Sequence, residues 1–236
     1  MTDKPFVDRR HAGRLLAARL SSEYAGRSDV LVLALPRGGV PVAAEVAAEL
    51  GAPLDVFLVR KLGTPRRPEL AFGAVTTGSV VLLDREVVRA LAIPDHVIEA
   101  TAAEGLKELA RREREYRGDL PPPDLGGRTV ILVDDGLATA ACVLAAIAAL
   151  RQQQPGRIVV AVPIASRDRC DQLVSHADEV VCTIMPEPLH AVGHWYDDFS
   201  TTSDDEVRDM LADRKAPETT ARQPDTVRES ASGAPR

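Results

Sequence analysis

The stretch Val130-Ile131-Leu132-Val133-Asp134-Asp135-Gly136-Leu137-Ala138-Thr139-Ala140-Ala141-Cys142 decides how this chain is read. An unbroken apolar run, 130–133, stops at two adjacent carboxylates. A turn of small residues follows, then a helix-like run through Leu150. Strands covered on both faces read as continuous apolar runs, and open α/β sheets take ligands where such strands end. Asp134 and Asp135 are therefore aimed at a crevice. The turn at 136–142 can present backbone N–H groups and a helix N-terminus to an anion. Acidic groups for hydroxyls or a magnesium-bound ligand, beside an anion cradle, describe a sugar-phosphate site. Paired acids after a strand also occur in receiver domains and in phosphatases with a carboxylate nucleophile. Receivers carry the pair after their first strand, whereas here it follows more than half of the chain.

A second strand end lies upstream. The run Val30-Leu31-Val32-Leu33-Ala34-Leu35 leads into Pro36-Arg37-Gly38-Gly39-Val40-Pro41 and a helix-like stretch, 42–50. Strand, turn with arginine and two glycines, then helix is the anatomy of an anion site. It is also that of an ordinary strand-to-helix turn whose glycines serve geometry alone. The next predicted strand, 54–59, ends in Arg60-Lys61. The chain has only four lysines, and Lys61 alone sits at the end of a predicted core strand. A compact cation there suits a phosphate oxygen. Residues 62–69, rich in breakers and charge, read as a mobile loop with Arg66, Arg67 and Glu69 as candidates to reach the site.

The rest of the pattern alternates strands with helices at crossover spacing, which argues a parallel α/β sheet. A helix is expected at 8–24, short strands at 72–75 and 80–83, and a helix at 85–91. A long charged helix follows at 95–117, then strands at 158–163 and 179–184 with a helix between. The charges of 104–115 read as a solvated face with internal ion pairs. With 236 residues and 45% apolar content, one domain, 6–211, is expected. Residues 213–236 are poor in large aliphatics and read as a disordered tail. A net charge of −6 gives no footprint for nucleic acid. No apolar stretch approaches a membrane span, and the first fourteen residues are too charged for a secretory signal. The three cysteines, Cys142, Cys170 and Cys182, lack metal-ligand spacing and read as reduced thiols of a cytoplasmic protein. Trp195, Tyr196 and Phe199 cluster after the last strand, where they either stack on a planar base or seal a cap on the core. His190 and His194 stand four apart without further ligands, and no metal site is assigned to them.

Taken in order, LPRGGVPVA, RKLG, PELAFGAV, VDDGLAT and PEPLHAVGHWYDDF resemble the type I phosphoribosyltransferases, in particular a bacterial group of stand-alone members. The resemblance covers nearly all of the chain except the tail. It implies an α/β fold: a parallel sheet flanked by helices, with a small hood, at about 186–199 here, and a long inserted helix. It implies phosphoribosyl pyrophosphate (PRPP) and Mg²⁺ as ligands, and displacement of pyrophosphate by a nucleobase-like nitrogen acceptor whose identity is open. By the same resemblance Asp134 and Asp135 hold the ribose hydroxyls and contact metal only indirectly, through PRPP or water. Gly136, Ala138, Thr139, Ala140, Ala141 and Cys142 wrap the 5′-phosphate. Arg37, Gly38, Gly39 and Lys61 contact pyrophosphate. Trp195 or Tyr196 faces the acceptor. A homodimer is the family's common state.

The sequence departs from the family pattern where Thr-Gly-x-Thr is usual. Ala140 adds a Cβ, and Cys142 replaces a hydroxyl with a weak thiol donor. Losing one charge-assisted hydrogen bond of about 1.5–3 kcal/mol would weaken PRPP binding roughly ten-fold or more. The acid that hypoxanthine-guanine enzymes carry at the place of Ala138 is absent, which argues against that substrate group. Two other readings stay open: a PRPP- or nucleotide-binding regulatory module without turnover, and a partner-binding scaffold that uses the charged helix.

Overall fold

The apolar runs 30–35 and 130–133 lie side by side at the centre of one sheet. The computed structural model describes residues 4–64 and 67–212, without the side chains of residues 67–69. Five strands form a wholly parallel sheet: β1 (Val30–Ala34), β2 (Leu54–Val56), β6 (Thr129–Val133), β7 (Arg157–Ile164) and β8 (Glu179–Ile184), in the order β2-β1-β6-β7-β8. Every residue of β1 and β6 is buried, because helices cover both faces. Val32, Ala34, Ile131 and Val133 join one apolar cluster with α1 (Arg9–Tyr24), α2 (Gly39–Leu50) and α7 (Asp204–Ala212). Leu31, Leu33, Val130 and Leu132 join another with α5 (Ala141–Gln152) and α6 (Arg167–Val174). Alternate residues thus face opposite cores, the two-residue period of a strand buried on both sides.

A second, antiparallel sheet holds β3 (Val59–Thr64), β4 (Arg67–Thr76) and β5 (Val80–Leu83), with α3 (Arg85–Ala90) following it. The long helix α4 (Asp95–Arg117) packs on this sheet, and Gly105 lets it approach Leu62 and Val75. On its exposed side Arg111 pairs with Glu108 and Glu115, both at 2.9 Å, and Arg112 pairs with Glu108 at 3.0 Å. These charges are satisfied within the helix, as its spacing predicts.

Two expectations are corrected. The apolar run at 54–59 is not one strand. The chain leaves the parallel sheet at Phe57, whose N–H donates to Ala34 O, and Leu58 N–H donates to Thr77 Oγ1. Lys61 therefore lies within β3, opposite Ala74, and not at the end of a core strand. The expected mobile loop at 62–69 instead contributes paired backbone on both sides, with register shifts at Leu62/Gly63 and Gly63/Thr64. Arg66 lies outside the described residues, as do the side chains of Arg67 and Glu69 and the tail at 213–236. Helix α7 is absent from the sequence reading, although Ser203-x-x-Glu206 announces it. Ser203 Oγ accepts from Glu206 N–H at 3.2 Å and Glu206 Oε2 accepts from Ser203 N–H at 2.7 Å, a reciprocal capping box. Among the described residues, no helix is long and apolar enough to cross a membrane.

Candidate active site

The pairing of β1 with β6 brings the two motif loops together. Ala34 stands opposite Val133, and Leu35 N–H donates to Val133 O at 2.9 Å. Pro36-Arg37-Gly38-Gly39 and Asp134-Asp135-Gly136 therefore leave the sheet at one level. They touch. A Cβ on Gly38 would lie 2.1 Å from Asp135 Oδ2, and one on Gly39 would lie 2.8 Å from Val133 O and 3.2 Å from Asp134 Oδ1. The glycines are there so that the carboxylates can sit directly on the loop. Gly136 serves a different neighbour, since its Cβ would lie 2.6 Å from Val192 and 2.7 Å from Ile164. The peptide between Pro36 and Arg37 is cis.

Both loops end in helices whose first turns lack a capping side chain: Gly38 precedes α2 and Ala140 precedes α5. Their leading N–H groups lack the side-chain acceptors that Asp8 and Asp84 give α1 and α3. At α2 the Gly39 and Val40 N–H groups already donate to Leu35 O and Arg37 O, both at 3.1 Å, so the α5 N-terminus beside two carboxylates is the place for an anion that also carries hydroxyls. Ala138, Thr139 and Ala141 are exposed around the second loop. Ala140 is buried at 4% exposure among Leu137, Val143 and Ile147. Its methyl group belongs to the core and not to the cradle, so the steric objection raised by its Cβ falls away.

Burial raises the pKa of Asp134 well above the usual carboxylate value, and the neighbouring Asp135 charge adds to this. Burial raises Asp135 as well, opposed by the hydrogen bond and charge of Arg9. Asp134 Oδ1 accepts from Asp135 N–H at 2.9 Å. Burial also raises the Cys142 thiol, with the Lys61 charge acting against that and the Asp134 charge with it. Cys142 thus lies within the field of both Asp134 and Lys61, the latter reaching it from β3. Arg37 is exposed and turned toward α7, 3.5 Å from Asp204 Oδ2. The Tyr116 hydroxyl donates to the same carboxylate.

The hood candidates separate. Tyr196 is fully buried, stacked near Phe6 and Phe199, and its hydroxyl donates to Asp135 O at 2.7 Å. It offers no free face to a planar base, and it supports Asp135 from below. Trp195 is partly exposed beside this cluster, at the end of a 3₁₀ turn, Val192–Trp195. The backbone of Phe6 pairs with Tyr196, so two segments distant in sequence meet beside Asp135.

A family profile described as the phosphoribosyl transferase domain matches residues 9–196. The chain belongs to the phosphoribosyl transferase domain family. A Mycobacterium tuberculosis H37Rv protein, Rv0571c, which carries the name phosphoribosyl transferase as an unproven activity, is 47% identical over 204 residues. That match takes in 86% of this chain, which spans 46% of the length of the mycobacterial relative. The crystal structure of TT1426 from Thermus thermophilus is 44% identical, with a TM-score of 0.76, covering 87% of this chain and 97% of that one. The family match contains both motif loops and β3, while α7, with Asp204, lies beyond it. Arg9 and Asp204 pair with motif residues and neither is legible in the sequence as a site residue, because their partners stand 126 and 167 positions away.

Proposed function

We propose that the chain transfers the 5-phosphoribosyl group of PRPP to a nitrogen acceptor and releases pyrophosphate. The observation that carries this reading is the wedging of Asp134 and Asp135 against Gly38-Gly39, beside the α5 N-terminus that no side chain caps. Asp134 and Asp135 hold the ribose hydroxyls. Backbone N–H groups of 138–142 and the Thr139 hydroxyl take the 5′-phosphate. Arg37, Lys61 and the N–H group of Gly38 take the pyrophosphate, and Gly39, whose N–H donates to Leu35 O at 3.1 Å, lines the loop. The bond from the anomeric carbon to the pyrophosphate oxygen breaks, with its electron pair leaving on pyrophosphate. The acceptor nitrogen bonds to that carbon and gives up a proton. Positive charge develops on the sugar and negative charge on the leaving group, so fixed cations at one end and carboxylates at the other favour the separation.

A magnesium ion fits this donor set. Asp134 is a hard oxygen ligand whose charged form is disfavoured by burial and by its neighbour, which is the setting that a cation relieves. Mg²⁺ is commonly bound by one or two carboxylates together with substrate phosphates. Asp134, and Asp135 at longer range, would hold it through PRPP or water, and it would neutralise charge on the pyrophosphate.

Calorimetry with Mg²⁺-PRPP tests the reading. Micromolar binding is expected, together with its loss in Asp134→Asn/Asp135→Asn, and pyrophosphate release should follow when the correct nucleobase is supplied. Absence of binding at millimolar PRPP would end it. Binding without release for any acceptor would favour the regulatory module instead, a reading that the weak thiol donor at Cys142 supports. Cys142→Thr restores a hydroxyl at the phosphate loop, and about ten-fold tighter PRPP binding is expected. Ala140→Gly is expected to add nothing to affinity and to cost about 0.8 kcal/mol or less of stability, read by thermal melting, because a buried methyl group is lost at an N-cap that otherwise tolerates glycine. A Cys142→Thr chain no tighter than the native one would mean the phosphate takes nothing from the side chain at 142.

A further inference from the structure

The Arg9 guanidinium joins three segments that are distant in sequence. Nε donates to Asp135 Oδ2 at 2.8 Å and Nη1 to Ser200 O at 2.7 Å. Its central carbon stands 3.8 Å from the centre of the Phe199 ring. A Cβ on Gly38 would lie 3.3 Å from its Nε, so the side chain also borders the first motif loop. The Arg9 and Asp135 side chains keep only 11% and 16% exposure. An arginine held in this way, by a charge-assisted hydrogen bond, a carbonyl and an aromatic face, has a fixed orientation. The hydroxyl of Tyr196 holds the Asp135 backbone from the other side at 2.7 Å.

The arrangement determines which oxygens are left for a ligand. Asp135 Oδ2 is committed to Arg9 and Asp134 Oδ1 to the Asp135 N–H. Among the described residues no hydrogen bond from another residue reaches Asp134 Oδ2 or Asp135 Oδ1, and neither atom is a buried oxygen lacking a partner. Each carboxylate therefore offers one oxygen, on consecutive residues. Two vicinal ribose hydroxyls need two such acceptors.

We propose that Arg9 is a positioning residue that turns Asp135 so that Asp134 Oδ2 and Asp135 Oδ1 receive the two ribose hydroxyls. This inference rests on the PRPP reading. It makes Arg9 specific to the ribose end of the ligand, since its hydrogen bonds go to Asp135 and Ser200, and it borders Gly38 without donating to the pyrophosphate loop.

The test compares Mg²⁺-PRPP with Mg²⁺-pyrophosphate on the native chain, Arg9→Gln and Arg9→Lys by calorimetry. Arg9→Gln should lose about ten-fold or more in PRPP affinity, the size of a lost charge-assisted bond, and leave pyrophosphate affinity unchanged. Arg9→Lys keeps the charge without the planar fork, and should fall between the two for PRPP alone. Equal losses for both ligands would mean a collapsed loop and overturn the assignment. So would an unchanged PRPP affinity in Arg9→Gln or, if that chain does not fold, in Arg9→Lys. A native chain that binds no PRPP would remove the proposed function itself, an outcome distinct from a native chain that binds with variants that match it.

Discussion

Gly38→Ala is expected to cut PRPP affinity by about a hundred-fold while leaving a folded protein. The loss of that size is what an ångström-scale misplacement of ligating groups produces. The added methyl carbon would stand 2.1 Å from Asp135 Oδ2 and 2.8 Å from its Cγ. Backbone strain is not the cause, because Gly38 has φ −59° and ψ −33°, which alanine adopts readily. Nor can the carboxylate move aside freely, since Arg9 holds Oδ2 at 2.8 Å and is itself held by Ser200 and Phe199. The pair must break or the loop must shift. Overpacking of this kind costs about 1–3 kcal/mol, which for a chain of this size lowers the melting midpoint by roughly 2–12 °C. Gly39→Ala meets backbone instead, with Val133 O at 2.8 Å and Asp134 Cα at 3.0 Å. It should therefore destabilise more than Gly38→Ala. Thermal melting and calorimetry on both chains check this order. A Gly38→Ala protein that binds PRPP within about three-fold of the native affinity would show that the two loops separate more easily than their packing implies.

What the sequence discloses is what neighbours in sequence determine. The apolar runs of β1 and β6, the PRGG and DDG turns and the strand-helix alternation are local patterns, and they put the two loops at adjacent strand ends once the sheet order is known. Where a partner far along the chain decides, the pattern misleads. Leu54-Asp55-Val56-Phe57-Leu58-Val59 reads as one strand because all but one of its residues are apolar. It divides at Phe57-Leu58 because Thr77 is there to receive Leu58 and to turn the chain into the second sheet. The aromatic cluster at 195–199 satisfies two readings equally until Phe6 arrives from far upstream and encloses Tyr196. Arg9 and Asp204 are invisible for the same reason. Helix α7 is a different case, since its Ser203-x-x-Glu206 box is a local signal that the composition of the following tail obscures.

The largest stability effect is expected from Arg117→Met. Asp55 and Arg117 are buried to 2% and 4% exposure, and Arg117 Nε lies 3.0 Å from Asp55 Oδ1. The same carboxylate oxygen accepts the Val56 N–H at 2.7 Å, and Arg117 also donates to Val56 O. The pair therefore fastens the C-terminal end of α4 to β2, an edge of the parallel sheet. A buried ion pair adds little net stability when both partners are present, because desolvation offsets attraction. Removing one partner is another matter. Methionine fills much of the space but leaves the Asp55 carboxylate without this guanidinium, at a cost of about 3–5 kcal/mol, or roughly 6–20 °C in melting midpoint. Arg117→Met combined with Asp55→Leu should recover part of that loss, since an apolar pair needs no counter-charge. Recovery cannot be complete, because the double variant also takes Asp55 from the Val56 N–H, and in both chains the Val56 C=O and Glu113 lose Arg117. The effect should also reach the site, because Tyr116, next to Arg117, donates to Asp204, which faces Arg37. PRPP affinity in Arg117→Met should therefore fall even well below its melting midpoint. A variant that melts within about 2 °C of the native chain would mean that α4 is held by its apolar face alone.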